Sequence, residues 1–548
     1  MQKQNQKILN KFAEMLSTKR LATSENNFYD ELGQTAFEND YTRMIMSAPV
    51  RRLQDKAQVF PLDRTDFTRT RLTHSLEVAD IAKQLGVYVE RLLCKKYGKS
   101  IQEKDYIAKH YIPQILQVSG LIHDIGNPPC GHFGEQTIKE YFVGLKNAQK
   151  RVEKVKICKN QIAKGVISNG QELKSSEIEA ALLIAEEASL SVERTYTYTN
   201  RIAEAYNKLT PQQKADLEHF DGNVQDLRLL THLGLANDKH SFNLTSAVLA
   251  TIIKYPYSST RGNKTGEGIS HMQSKFGYFE TEEQEYKNII KNACIGEEQR
   301  YPLTYLLEAA DDITYLTCDV EDGYRLGIIT IDDIIRALRN NLQGKSSHIY
   351  DKRNLKNKIK NIELFLINKE EYDQAREEEY VQELRILAQQ IMIKACATLF
   401  VSKFKEIVEG SYTEELLGSS EAKSIQNAFK SLSRKNFDNY GVIKSELLGG
   451  KAIATLMDVF VRALYDDSIT KEEDGKRKIN FKTEAYKIYS LISPNYKKVA
   501  LSNVEEVDFL YDPQNNYAYQ KFQLVSDFIA GMTDNYALQL YRDLTIGY

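Results

Sequence analysis

Pro128 and Pro129 stand side by side in a chain of 548 residues that has only 10 prolines. Each lacks a backbone N–H and locks φ, so no regular helix runs through them. The run from Ile115 to Ile122 is almost wholly apolar and reads as a buried helix segment. That helix has to end, and it ends on His123-Asp124. The stretch from 120 to 137, GLIHDIGNPPCGHFGEQT, holds two histidines, two carboxylates and four glycines besides the two prolines. A buried helix closing on His-Asp, then a rigid turn carrying His132 and Glu135, is how a metal site or an acid/base site is built.

Elsewhere helix breakers are scarce. The 28 glycines and 10 prolines are both below average usage. Lys, Glu, Leu, Ile and Ala are abundant and favour helix, and strand-like alternation is rare. An all-α fold is predicted, with a large core available from 42% apolar residues. A polar N-terminal arm is expected over 1–40 and a core over 41–330, with a lysine-rich helical insert from about 145 to 210. A helical region packed on that core is expected over 331–548. A net charge of -2 gives no global nucleic-acid footprint. The 6 cysteines lie far apart without a CxxC pair, which argues against a zinc ribbon or disulfide framework and fits a reducing cytoplasm. No apolar leader is seen at the N-terminus and no apolar run of about 18 residues, so no membrane span is expected.

Three further segments bear on chemistry. Arg43, Arg51, Arg52, Arg64, Arg69 and Arg71 lead into an amphipathic helix with His74 near its start. Taken alone, such a histidine is ordinarily a satisfied core or surface residue. Residues 243–254 form an apolar helix stopped by Pro256, and a glycine- and serine-rich loop, 258–278, follows as a candidate lid. The 302–322 segment is apolar at Leu303, Leu306, Leu307, Ala310, Ile313 and Leu316, with Asp311 and Asp312 interrupting. A carboxylate inside an apolar helix is costly unless paired or bound to metal. Asp311, Tyr315 and Asp319 share one helix face, which reads as a pocket wall. His74, His123-Asp124 and one of Asp311 and Asp312 could offer nitrogen and oxygen donors to a divalent cation if a bundle brought their helices together. Spacing does not choose between Asp311 and Asp312.

The order H…HD…D, with the segments from Arg51 to Phe60, Arg69 to Ser75, His123 to Glu135 and Glu308 to Ile313, resembles the bacterial dGTP triphosphohydrolases of the HD-domain phosphohydrolase superfamily. Phe220 to Asn223, Asn243 to Thr245, Lys254 to Pro256 and Gly531 to Asp534 add to the likeness, which is closer over 41–330 than beyond. The resemblance implies an HD-domain helical core with a metal site, elaborated by C-terminal helices. It implies hydrolysis of dGTP or another dNTP to deoxynucleoside and inorganic tripolyphosphate. His74, His123, Asp124 and Asp311 would hold one Mg2+ or Mn2+. His132 would be the general acid for the leaving 5′ oxygen or would position the attacking water. Glu135 would orient it and raise its pKa toward neutral.

For the substrate, the resemblance implies that Arg71 and Lys254 bind phosphates and that Asn127 supports a phosphate oxygen. Gln58 and Asp319 would read the 3′ hydroxyl, and Val59 would pack under the sugar. Tyr315 would stack on the sugar and exclude a 2′ hydroxyl, while Asn223 and His219 line the same pocket. A cytoplasmic homo-oligomer, a hexamer built from dimers, and activation by single-stranded DNA also follow from the likeness. Two rival readings share some of these residues: an HD phosphodiesterase or 5′-nucleotidase, and a non-catalytic helical scaffold that binds nucleotide or DNA.

Overall fold

A computed structural model describes residues 2–22, 33–61, 65–102, 104–163, 200–234, 240–264, 271–342, 350–367 and 373–545. The arm at Asn26–Asp30 and most of the lysine-rich insert fall outside these residues, as does part of the candidate lid. Of the described residues 71% are helical, and a two-stranded sheet is the strand structure found among them. The all-α expectation therefore holds.

The structure forms two compact units. The first comprises residues 1–131, 221–448 and 533–536. Its centre is the long helix Arg71–Tyr97, which packs against Tyr111–Ile122, Thr304–Arg325 and Gln374–Ser402. Tyr111–Ile122 also packs against Ala36–Ile45 and Ser246–Ile252. It is thus enclosed, and its residues from Val118 to Ile122 are all buried. Ahead of this helix the chain makes a short one, Asp105–Ala108, and turns at His110. His110 takes φ 53, and the next helix starts at Tyr111. Pro113 then sits in the first turn of the new helix, where its missing N–H leaves no bond unmade.

Small residues set the crossing of the two central helices. A Cβ on Gly120 would lie 2.7 Å from the Ala79 Cα, and one on Gly86 would lie 2.7 Å from the Pro113 Cα. Backbone cannot yield as a side-chain tip can. Gly120→Ala is therefore expected to cost about 1–3 kcal/mol of stability by overpacking, read as a lower denaturation midpoint with an unchanged slope.

Gln374–Ser402 is long and apolar enough, by length and composition, to cross a membrane. No such span was expected. Here that helix packs against Arg71–Tyr97 and Thr304–Arg325, and Leu384, Ala388, Met392, Cys396 and Phe400 are buried along it.

The second unit comprises residues 132–220, 449–532 and 537–548. Phe522 is its aromatic centre, with ring centroids 5.8 Å from Phe142, 6.4 Å from Tyr206 and 5.7 Å from Tyr465. Two buried phenols find acceptors there: Tyr519 donates to Asp216 at 2.6 Å, and Tyr206 donates to Glu218. Thr470–Glu473 and Lys476–Ile479 pair antiparallel in this unit, with Thr470 opposite Ile479. Asp474-Gly475 turns the hairpin, both with positive φ, as the strand twist requires of a two-residue turn.

Candidate metal centre

Three local features bring four side chains to one point in the first unit. Thr70 caps the Arg71–Tyr97 helix: its Oγ1 accepts from Thr73 N at 3.4 Å, and Thr73 Oγ1 accepts from Thr70 N at 3.0 Å. This places His74 in the first turn, 1% exposed. Arg69, just before the cap, donates to Glu77, Glu321 and Asp322. It thereby fastens the start of this helix to the end of Thr304–Arg325. His123 is the C-cap of Tyr111–Ile122, where the coming prolines free it from helical packing. Asp311 lies on the second turn of Thr304–Arg325.

The donor atoms of His74, His123 and Asp124 all lie within 4.8 Å of one another. Asp311 Oδ1 is 3.3 Å from His74 Nε2 and 3.4 Å from His123 Nε2. These contacts lack hydrogen-bond geometry, so both Nε2 atoms are buried without a hydrogen-bond partner. The other nitrogen of His123, Nδ1, donates to Gly120 O at 2.8 Å and leaves the Nε2 lone pair facing the carboxylates. That is the orientation a metal-ligating imidazole takes. Two imidazoles and two carboxylates suit Mg, Mn, Fe or Zn. The residues fit a divalent cation.

Each carboxylate already has a cationic partner. Arg71 Nη1 lies 2.5 Å from Asp124 Oδ2, and Lys254 Nζ lies 3.0 Å from Asp311 Oδ2. Burial works to raise the Asp124 carboxyl, but His123 and Arg71 outweigh it and hold it below the usual range. Asp311 is likewise depressed: burial opposes ionisation, and Lys254 and His123 overcome it. Asp312 takes no part in these contacts. Its carboxyl is pushed well above the usual range, first by burial and then by the charges of Glu308 and Asp311. Of the two adjacent aspartates, Asp311 is the one that touches both imidazoles.

The other candidates lie in both units. Tyr315 and Asp319 follow Asp311 along its helix; Asp319 is 2% exposed, and its Oδ1 has no hydrogen-bond partner. Gln58 Oε1 is also buried without a partner. Val59 sits in an apolar cluster with Phe60 and Val442, flanked by Leu326 and Ile328. Asn127 is buried, with Nδ2 on Asp124 O at 3.4 Å. Asn223 donates through Nδ2 to Asp221 at 2.8 Å. In the second unit, His132 lies at the start of the Gly131–Ala163 helix with its side chain 81% exposed. Its Nδ1 is 3.2 Å from Oε2 of Glu135, a buried residue one turn on. His219, in the same unit, is exposed.

Sequence reasoning gave no role to four side chains that hold this site together. Asp226 Oδ1 accepts from Gly126 N at 2.7 Å. A Cβ on Gly126 would lie 2.4 Å from Asp226 N, so the His-Asp turn and the Gly222–Arg228 helix meet backbone to backbone. Lys56 is buried and donates to Asn127 O at 2.5 Å. Asp534 accepts from Ala57 N and from Cys130 N, each at 2.9 Å. Arg69 is the fourth. A basic or acidic residue inside an otherwise apolar or glycine-rich segment was the available signal for Lys56 and Asp534, but their partners lie too far along the chain for spacing to reveal.

Residues 71–211 match the HD domain family, and residues 499–543 match the phosphohydrolase-associated domain. The deoxyguanosinetriphosphate triphosphohydrolase-like proteins of Listeria monocytogenes and Listeria innocua are each 34% identical to this chain over 518 residues, 93% of this chain and 94% of theirs. The deoxyguanosinetriphosphate triphosphohydrolase of Yersinia enterocolitica is 28% identical over 545 residues, covering 97% of this chain and 98% of its own. With likeness of that extent, and with the His-His-Asp cluster inside the matched region, the chain belongs to the deoxyguanosinetriphosphate triphosphohydrolase-like family of HD-domain phosphohydrolases.

Proposed function

We propose that the protein hydrolyses a deoxynucleoside triphosphate, dGTP first among them, to deoxynucleoside and inorganic tripolyphosphate, with one Mg2+ or Mn2+ held by His74, His123, Asp124 and Asp311. The observation that carries this reading is the convergence of two unsatisfied buried imidazole nitrogens on two carboxylates, each carboxylate backed by its own cation. A divalent ion at such a cluster polarises a phosphoryl oxygen and supplies activated water.

The charge balance supports a polyphosphate substrate. Asp124 and Asp311 are matched by Arg71 and Lys254, so an added divalent cation leaves a net positive pocket for a triphosphate. Arg71 and Lys254 are the charge-assisted donors for it, and Asn127 supports a phosphate oxygen. Gln58 and Asp319 bind the 3′ hydroxyl. Burial, reinforced by the Asp322 charge, pushes the Asp319 carboxyl well above the usual range. Tyr315 lies between Asp311 and Asp319 on the same face and excludes a 2′ substituent. Val59 backs the sugar from its apolar cluster, and Asn223 lines the pocket. His132 gives its proton to the departing 5′ oxygen, and Glu135 fixes which ring nitrogen carries it.

The test is a product assay over four dNTPs and four NTPs with Mg2+ or Mn2+. Tripolyphosphate from dGTP, with the ribonucleotides at least tenfold slower, is the expected result. Pyrophosphate or single phosphates as the released product would sink it and favour a phosphodiesterase or nucleotidase. Tight nucleotide binding without turnover of any of the eight would favour the non-catalytic scaffold. Adding single-stranded DNA to the same assay, and weighing the particle in solution, tests the activator and the homo-oligomer implied by family likeness.

A further inference from the structure

We infer that Asp534 is a positioning residue for substrate: its carboxylate clamps together the two backbone segments that carry Gln58 and Asn127. The inference rests on the reading above for the roles of those two side chains, and on geometry alone for the clamp.

Asp534 is 4% exposed. Its Oδ2 accepts from Ala57 N and its Oδ1 from Cys130 N, both at 2.9 Å, so one carboxylate spans two segments far apart in sequence. Ala57 is the neighbour of Gln58. Cys130 closes the Asn127-Pro128-Pro129 turn. The Lys56 ammonium, itself 2% exposed, completes the link by donating to Asn127 O.

The segment from Lys56 to Gln58 is held on its other side too. Arg71 N donates to Lys56 O at 2.8 Å, and Ala57 bridges Thr70 antiparallel. Its backbone is therefore fixed between the start of the His74 helix and the Asp534 carboxylate. The turn has a second need for the clamp. Cys130 takes φ 58 without being glycine, and Gly131 follows at φ 56. A side-chain-bearing residue stays in the left-handed region only where its surroundings over-determine it. The bond from Cys130 N to Asp534 is one such constraint.

Asparagine and aspartate have nearly the same shape, but the amide offers one acceptor oxygen where the carboxylate offers two. Asp534→Asn therefore keeps one of the two backbone bonds at most and sets an amide N–H against the other donor. The expected result is at least a tenfold loss of kcat/KM with a dNTP, visible in KM as well as kcat, with bound metal unchanged and the protein fully folded at assay temperature. A merely structural role would reduce the active fraction, lowering kcat and leaving KM in place. An unchanged KM in the folded variant would therefore overturn the inference. Backbone amide exchange in the full chain gives a readout that needs no turnover. Residues 56–58 and 130–131 are expected to exchange faster together in Asp534→Asn, with the 74–97 helix unaffected. If the unaltered protein hydrolyses no dNTP but both segments loosen together, the clamp stands and the substrate reading falls. If dNTP hydrolysis is confirmed and only one segment or neither responds, the clamp is wrong.

Discussion

Asp311→Ala is expected to purify without its divalent ion and to lose turnover with dGTP by about a thousandfold or more. Several kcal/mol of transition-state stabilisation by a bound cation corresponds to that factor. Both effects come from one atom, since Asp311 Oδ1 is the oxygen within 3.4 Å of both imidazoles. The variant also removes the carboxylate that Lys254 pairs with at 3.0 Å, and breaking a buried pair costs roughly 3–5 kcal/mol. Asp311→Asn keeps the shape and separates the two consequences. It should melt closer to the parent than the alanine variant and still fail to hold metal at stoichiometric loading. Elemental analysis and a melting curve on the same preparations decide it. Parental metal content in either variant would remove Asp311 from the ligand set.

His132→Ala is expected to behave in the opposite way. Metal content and KM should stay near parental, while kcat falls by about 10²–10⁴, the contribution usual for a positioned acid or base. The structure gives the reason to expect no folding cost. The His132 side chain is 81% exposed and its contact is with Glu135 one turn along the same helix. Glu135→Gln should show the same pattern at smaller amplitude, because the amide oxygen still accepts from Nδ1 and keeps the ring oriented. A loss of metal in either variant would place these residues in the binding of the ion instead of proton transfer.

Much of the site could be read from the sequence because the residues that make it are locally improbable. Asp311 inside an apolar helix, and His123-Asp124 ahead of Pro128-Pro129, violate the patterns around them, and such violations mark chemistry. Period and breakers likewise located the helix carrying His74 and the 304–325 helix. Which histidine belonged with which aspartate could be read only through family likeness, because Arg71–Tyr97, Tyr111–Ile122 and Thr304–Arg325 meet through tertiary packing that has no period. The choice between Asp311 and Asp312 was a question of which face of one helix turns toward His74, which depends on how Thr304–Arg325 packs against Arg71–Tyr97. Lys56, Asp226 and Asp534 gave least away. Each acts on a backbone amide or carbonyl, and a backbone partner has no residue identity to be recognised by. The helix break at His110 leaves only a faint mark in the sequence, Pro113 in the first turn of the helix that restarts at Tyr111.

The first unit is discontinuous, and this matters for how the protein comes into being. Ala57, Cys130 and Asp534 belong to one compact unit, yet Asp534 is translated 404 residues after Cys130. A ribosome releases at most a site lacking its clamp until residue 534 has emerged. Chains truncated by stalling or cut by proteases before that point would carry His74, His123, Asp124 and Asp311 without the carboxylate that joins the Ala57 and Cys130 backbones. A chain that stops short of Asp534 therefore lacks a bond that its own N-terminal quarter is built to receive.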